Sequence, residues 1–229
     1  MMPWSNYMKS MFLGLMLAVI SAASLASAGH GAVQLDKVQV SVLDTASLQR
    51  GADVYAQYCM GCHSMKYLRI TRAARDLGWS DEQGVSHFQY LRGGKGKPHD
   101  AILTTIDATN AKLAFGVLPP DLSLEARLRG KDWVYTFLRS YERDAQGKVS
   151  NRLFDGVSMP YILEGLQKEL SPAAFDARVG DLVNFMDYAA EPAKVVRLTM
   201  GWWVLGFIAL LFMLTLLLKK EFWRDIKST

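Results

Sequence analysis

Cysteine is nearly missing from this chain: among 229 residues there are two, Cys59 and Cys62. Used together, they leave none for a structural disulfide. There is no second pair at similar spacing, which a four-ligand tetrahedral zinc site would want. No strand–helix pattern of βαβ character stands beside them, the usual setting of a thioredoxin-like dithiol. Long runs of one charge are missing too. The formal net charge of +4 is spread along the chain, without the basic footprint of a nucleic-acid binder. Gly93-Gly94-Lys95-Gly96-Lys97-Pro98 has the glycines of a phosphate loop but not the Ser or Thr that must follow Gly-Lys, so it reads as a surface loop. Charge itself disappears between Met200 and Leu218, a run of nineteen residues. What remains is long enough for one good-sized domain plus extras, and half hydrophobic because both ends are apolar.

The two cysteines stand in Cys59-Met60-Gly61-Cys62-His63. Cys-x-x-Cys-His is the attachment signature of a c-type haem. Each thiol can add to a porphyrin vinyl group, and the histidine that follows directly is placed to be the proximal axial ligand of the iron. A redox dithiol or a zinc motif is the competing reading. Ahead of the motif, Leu48, Ala52, Tyr55 and Tyr58 fall at steps of four, three and three, one face of a helix that runs into Cys59. Gly51 sits on that side and admits a second helix closely. Short helices are expected through Tyr67–Ile70 and over Ser86–Leu91, the latter stopped by Gly93-Gly94.

A second chemical site is expected in the loop Asn151–Tyr161, at Met159-Pro160. A thioether is a soft ligand suited to haem iron. Met60 and Met65 are too close to His63 in the chain to serve, Met186 reads as core of a helix, and Met200 and Met213 belong to the uncharged run. Met159 is left as the candidate, with His87 and His99 as substitutes. Pro119-Pro120-Asp121-Leu122-Ser123 is a rigid extended turn suited to forming a wall. Arg127 and Arg129 follow it; each is either a partner for a haem propionate, through two parallel hydrogen bonds, or a basic residue on a solvated helix end. Asp132–Tyr141 reads as a helix, with Trp133, Phe137 and Leu138 toward the core. Ser171-Pro172 opens another by N-cap and N1 proline, with Phe175, Val179, Leu182, Met186 and Ala189 as its apolar stripe. That stripe is expected to pack on the helix bearing Gly51, and Glu191-Pro192 to end or bend its helix.

Both ends read as membrane-directed. Lys9, the apolar stretch Met11–Ile20 and Ala26-Ser27-Ala28 predict a cleaved secretory signal over 1–28, with Met1 or Met8 as the start. Met200–Leu218 matches the thickness of a bilayer core, with Trp202 and Trp203 at one end and Phe222 and Trp223 beyond the other. Lys219, Lys220, Arg224 and Lys227 follow it, against Lys194 and Arg197 before it, which predicts a cytoplasmic C-terminus.

The combination resembles the cytochrome c1 family, the haem subunits of the quinol–cytochrome c oxidoreductase (cytochrome bc1) complex. The resemblance runs from about Gln49 to the C-terminus. Its most specific elements are Arg50-Gly51 before Tyr58–Met65, Pro119–Ser123 with Ala126-Arg127, Asn151 with Phe154, Gly156 and Met159-Pro160, and Tyr188–Pro192 leading into the apolar run. It implies His63 and Met159 as axial ligands, Arg129 on a haem propionate, and the Pro120 segment as pocket lining. The fold expected is mainly α: a class I-like cytochrome c haem domain with loop insertions, plus one C-terminal transmembrane helix. The boundaries expected are 29–195 for a periplasmic haem domain, 196–221 for the anchor and 222–229 for a cytoplasmic tail, in a bacterial inner membrane. One covalently bound haem c is the implied cofactor. The implied function is relay of single electrons from the Rieske iron–sulfur subunit to a c-type cytochrome, beside cytochrome b and membrane lipid, in a dimeric complex and without substrate chemistry of its own. The chain departs from the family's common pattern in a short Tyr141–Asn151 segment, in having no extra cysteines and in lacking long acidic runs. The alternatives are a free-standing membrane-anchored cytochrome c donating to a terminal oxidase, a tethered thiol–disulfide or metal-delivery protein, and an anchor used only for interaction.

Overall fold

A computed structural model describes residues 34–224; the signal expected over 1–28 and the last five residues of the expected tail lie outside them. The first helix, α1 (Thr45–Val54), is capped by Asp44, whose carboxylate accepts from the Ser47 amide at 3.0 Å. It passes without a break into a single π-helical turn, Tyr55–Cys59, in which the Met60 amide donates to the Tyr55 carbonyl at 2.9 Å. Such wide turns concentrate at functional sites.

Next come β1 (Met65–Arg69), α2 (Ile70–Asp76), α3 (Asp81–Phe88), a 3-10 turn (Tyr90–Arg92), β2 (Ala101–Ile102), α4 (Ala108–Phe115), α5 (Glu125–Arg129) and α6 (Lys131–Arg139). The chain continues through β3 (Tyr141–Arg143), β4 (Val149–Asn151), α7 (Glu164–Glu169), α8 (Pro172–Ala190) and α9 (Lys194–Phe222). The strands form two antiparallel pairs, β1 with β2 and β3 with β4. The fold is mainly helical, as expected.

The core is organised on α1 against α8. Leu48, Ala52 and Tyr55 of the first face are buried, as are Phe175, Val179, Leu182, Met186 and Ala189 of the second. Gly51 is why the two approach so closely. A Cβ built on it would lie 2.1 Å from the Asp181 carbonyl oxygen and 2.7 Å from the Phe185 Cβ. Polar groups beside this contact pair with one another. Asp181 accepts from Ser47 Oγ at 2.7 Å and from Arg50 Nε at 2.6 Å, and Asn184 donates to Ser47 Oγ and to the Ser41 carbonyl, each at 3.0 Å. α5 and α6 also pack on α8. Asp132 of α6 pins the leading segment by accepting from Lys37 Nζ at 2.9 Å and the Val38 amide at 3.1 Å.

Three local expectations are corrected. Met65–Arg69 is extended, not helical, and α2 starts only at Ile70. The amides of Lys66 and Tyr67 go to Asp121 Oδ2 and Ser123 Oγ, both at 3.1 Å, so distant side chains supply what a helix would have supplied locally. The helix expected at Ser86–Leu91 begins earlier, at Asp81, under a capping box of Ser80 and Gln83. It ends at Phe88, before the 3-10 turn and Gly93 at φ 68°. α6 stops at Arg139 because Tyr141 pairs with Asn151 across the β3–β4 hairpin.

The last helix, α9, has 29 residues and starts six residues before the uncharged run. Ion pairs Lys194–Asp187 (2.6 Å) and Arg197–Glu191 (2.9 Å) tie its start to the end of α8 and the Glu191-Pro192 junction. Within Val196–Phe222 the most apolar stretch has a mean hydropathy of 2.3 and is not covered by the rest of the described chain. At about 1.5 Å per residue it is long enough to cross a hydrocarbon core of about 30 Å.

Candidate functional site

The π-turn ends in the Cys-x-x-Cys-His motif and closes it into a compact loop. The Cys59 carbonyl accepts from the Cys62 amide at 3.1 Å and from the His63 amide at 2.8 Å. Outside bonds fix the loop further. Thr104 Oγ1 donates to the Gly61 carbonyl at 2.6 Å, Tyr55 Oη to the His63 carbonyl at 2.8 Å, and the Leu122 amide to the Ser64 carbonyl at 2.8 Å.

Cys59, Cys62 and His63 open onto a hollow of about 440 Å³. Pro119, Pro120 and Leu122, the aromatic face of Trp133 and Phe137, Leu182 and Met186 of α8, and the loop Phe154–Ile162 with Met159 complete the wall. The lining is overwhelmingly apolar. Asn151 shapes the Met159 loop by accepting from the Leu153 and Phe154 amides at 2.9 and 3.1 Å and donating to the Phe137 carbonyl at 2.8 Å. Gly156, at φ 68°, takes the turn. Tyr141 Oη donates to the Met159 carbonyl at 3.2 Å.

The electrostatics select among the chemistries open to this motif. His63 Nδ1 lies 2.7 Å from the Pro120 carbonyl oxygen. A carbonyl only accepts, so Nδ1 carries the hydrogen and Nε2 keeps its lone pair. Burial lowers the imidazole's pKa from its ordinary range, against an opposing pull from that hydrogen bond, and the ring is held neutral. A neutral imidazole oriented by a backbone carbonyl is the form that ligates a metal. Burial, with a smaller contribution from Cys62, pushes the Cys59 thiol up to about 12. A thiol held protonated is a poor nucleophile for disulfide exchange. Among the described residues, no group of three or more His, Cys, Asp or Glu side chains converges to hold a free metal ion. An apolar hollow with two thiols, a lone-pair nitrogen and a thioether on its wall fits a covalently held haem, whose iron accepts those N and S donors.

The other candidate residues are distributed unevenly. Pro120 is on the wall and supplies the carbonyl for His63. Arg129 is on the wall, with Nε 2.5 Å from Glu125 Oε1 and its guanidinium 4.3 Å from the Trp133 ring centre. Arg127 is exposed and off the wall, with Nη1 3.9 Å from Glu191 Oε2. His87 packs against Trp79 and Phe88, and His99 is exposed; neither borders the hollow. Two of the wall residues that sequence reasoning did not place there bear on the chemistry. Met186 was assigned to the core and is buried, yet it also borders the hollow. Glu125 gave one usable signal, its i,i+4 spacing to Arg129 on a short helix.

Comparison with known proteins shows the family. The model of the Cytochrome C1 family matches residues 36–226. A cytochrome c1 of Allochromatium vinosum is 38% identical over 96% of this chain and all of its own length. A protein named ammonia monooxygenase gamma subunit, from Nitrosomonas europaea, is 37% identical over 93% of this chain and 97% of its own. The protein named cytochrome c1, heme protein, mitochondrial, of Schizosaccharomyces pombe is 29% identical over 91% of this chain and 78% of its own. With most of its length matched by the family model, the chain belongs to the cytochrome c1 family, as a haem c-containing, membrane-anchored electron-transfer subunit of the cytochrome bc1 complex.

Proposed function

We propose that this subunit takes single electrons from the Rieske iron–sulfur protein and passes them to a c-type cytochrome, beside cytochrome b in a dimeric complex. One observation carries the reading: two cysteines, a histidine whose Nδ1 meets the Pro120 carbonyl, and Met159 border a single apolar hollow. Haem c supplies a one-electron Fe(III)/Fe(II) couple when bound. Cys59 and Cys62 would hold it by thioether bonds, and His63 Nε2 and the Met159 sulfur would hold its iron. Held by those two protein ligands, the iron would have no position left for oxygen chemistry, and Met/His ligation would raise its reduction potential. Pro120 fixes the His63 tautomer, Tyr141 and Asn151 hold the Met159 loop, and the aromatic wall excludes water. Arg129 is the cation on the wall suited to a propionate; Arg127 is placed to serve the Glu191 junction instead.

The arrangement along the chain follows: a signal over 1–28, a periplasmic haem domain over 29–195, an anchor over 196–221 and a cytoplasmic tail. The excess of lysine and arginine after the anchor supports that orientation. The test is purification of the tagged subunit in mild detergent. Co-isolation of a cytochrome b and a Rieske protein, with haem reduced by quinol in a Rieske-dependent way, is the expected result. A subunit isolated alone that passes electrons to a terminal oxidase would instead be the free-standing cytochrome.

A further inference from the structure

We infer that Glu125 is a positioning residue for Arg129, and that the two act as one electrostatic unit on the wall of the haem chamber. Among the described residues, Glu125 is the only carboxylate on that wall. Its side chain is 18% exposed and Arg129's 42%, so the pair is partly shielded from water. Oε1 takes the Arg129 Nε hydrogen at 2.5 Å. Trp133 covers one face of the guanidinium at 4.3 Å, and Phe137 stacks on Trp133 at 5.1 Å with the planes 9° apart.

These contacts leave a specific part of the arginine over. The one side-chain hydrogen bond of Arg129 among the described residues goes through Nε. The terminal amino edge, the part that grips a carboxylate through parallel bonds, is not consumed. An arginine side chain alone has many rotamers; one gripped at Nε and stacked on a ring has few. Glu125 thus orients the edge that an acidic group of the cofactor would meet. It also sets the local charge. A carboxylate on the wall favours the oxidised, more positive centre, and a guanidinium favours the reduced one. Removing either charge alone moves the reduction potential, in opposite directions. Removing Glu125 also frees Arg129, so its effect depends on whether Arg129 is there.

The inference rests on the haem reading above, and its test separates the two. Reduction potentials and oxidised and reduced absorption spectra are recorded on the full-length protein in detergent, for the wild type, Glu125→Gln, Glu125→Asp, Arg129→Gln and the double variant Glu125→Gln/Arg129→Gln. The expected result is a higher potential for Glu125→Gln, a lower one for Arg129→Gln, a double variant that departs from the sum of the two shifts, and Glu125→Asp nearer the wild type than Glu125→Gln. Every spectrum keeps its methionine-ligated low-spin form. Shifts that simply add would make Glu125 an independent charge and overturn the positioning role, as would an unmoved potential in Glu125→Gln. A wild-type protein without covalent haem overturns the site reading itself.

Discussion

Along one flank of α8 the protein fills its interior with its own atoms: Asp181 and Phe185 close over Gly51 until no space for a methyl group remains. On another flank, Leu182 and Met186 of the same helix face a hollow of about 440 Å³. One helix therefore serves both as the spine of the core and as a wall of the chamber. The tight side is helix on helix, with exposure near zero at Leu48, Ala52, Val179 and Phe185. The open side is walled in good part by non-helical segments, 117–122 and 154–162, pinned at a few points by side chains such as Asn151 and Tyr141. Stability is thus concentrated on the side that has no chemistry, and the chemistry sits where the chain leaves room for a large apolar group.

That contrast is breakable from the tight side first. Gly51→Val puts a side chain into the Asp181 carbonyl, a backbone atom with no rotamer to yield. We expect a loss of about 3 kcal/mol or more, at or beyond the upper end of overpacking costs, read as a fall in melting temperature of the haem-loaded protein. A tolerated valine would mean that α1 and α8 are not locked as described. Tyr141→Phe tests the open side. It removes the hydroxyl bonded to the Met159 carbonyl and costs about 1 kcal/mol. Its larger signature is spectroscopic, a partial loss of methionine ligation without unfolding. An unchanged spectrum would show that the loop holds Met159 unaided.

A smaller effect concerns acid. Lys37, with further help from the Val38 amide and Lys131, holds the Asp132 carboxyl well below the usual carboxylate range. A folded pKa below the unfolded one means that Asp132 stabilises the fold above the ordinary carboxylate pKa of about 4, and that this contribution fades as the pH falls through the lower, folded value. Hydrogen exchange at the Val38 amide should therefore be steady, in protection, between neutral pH and about 5, and lose protection below about 4. Asp132→Asn should abolish that acid step while leaving the chamber unaffected.

Much of the tight side was readable in the sequence because its signals are local. Leu48, Ala52 and Tyr55 repeat at helical spacing, Gly51 stands among them, and the stripe from Phe175 to Ala189 follows a Ser-Pro start. The haem motif is equally local. The rest depends on partners far along the chain. Tyr67–Ile70 reads as a short helix until Asp121 and Ser123, 55 and 56 residues away from Lys66 and Tyr67, claim the amides of those two residues. Nothing near Met186 says that its helix also borders a cavity, since a buried wall residue and a core residue have the same apolar pattern. The Arg127–Arg129 pair was ambiguous for a similar reason. Two residues apart on a helix point to different sides, and only the fold shows that Glu191 is near one and Trp133 near the other.

The presence of two methionines on one wall makes the sixth ligand the most direct point of attack. Oxidised and reduced absorption spectra with a redox titration, on the wild type, Met159→Leu and Met186→Leu in detergent, decide it. The account predicts covalent c-type haem in all three, with Met159→Leu alone losing the methionine-ligated low-spin signature and falling sharply in potential. Loss in Met186→Leu with Met159→Leu unchanged would move the ligand onto α8 and contradict the assignment.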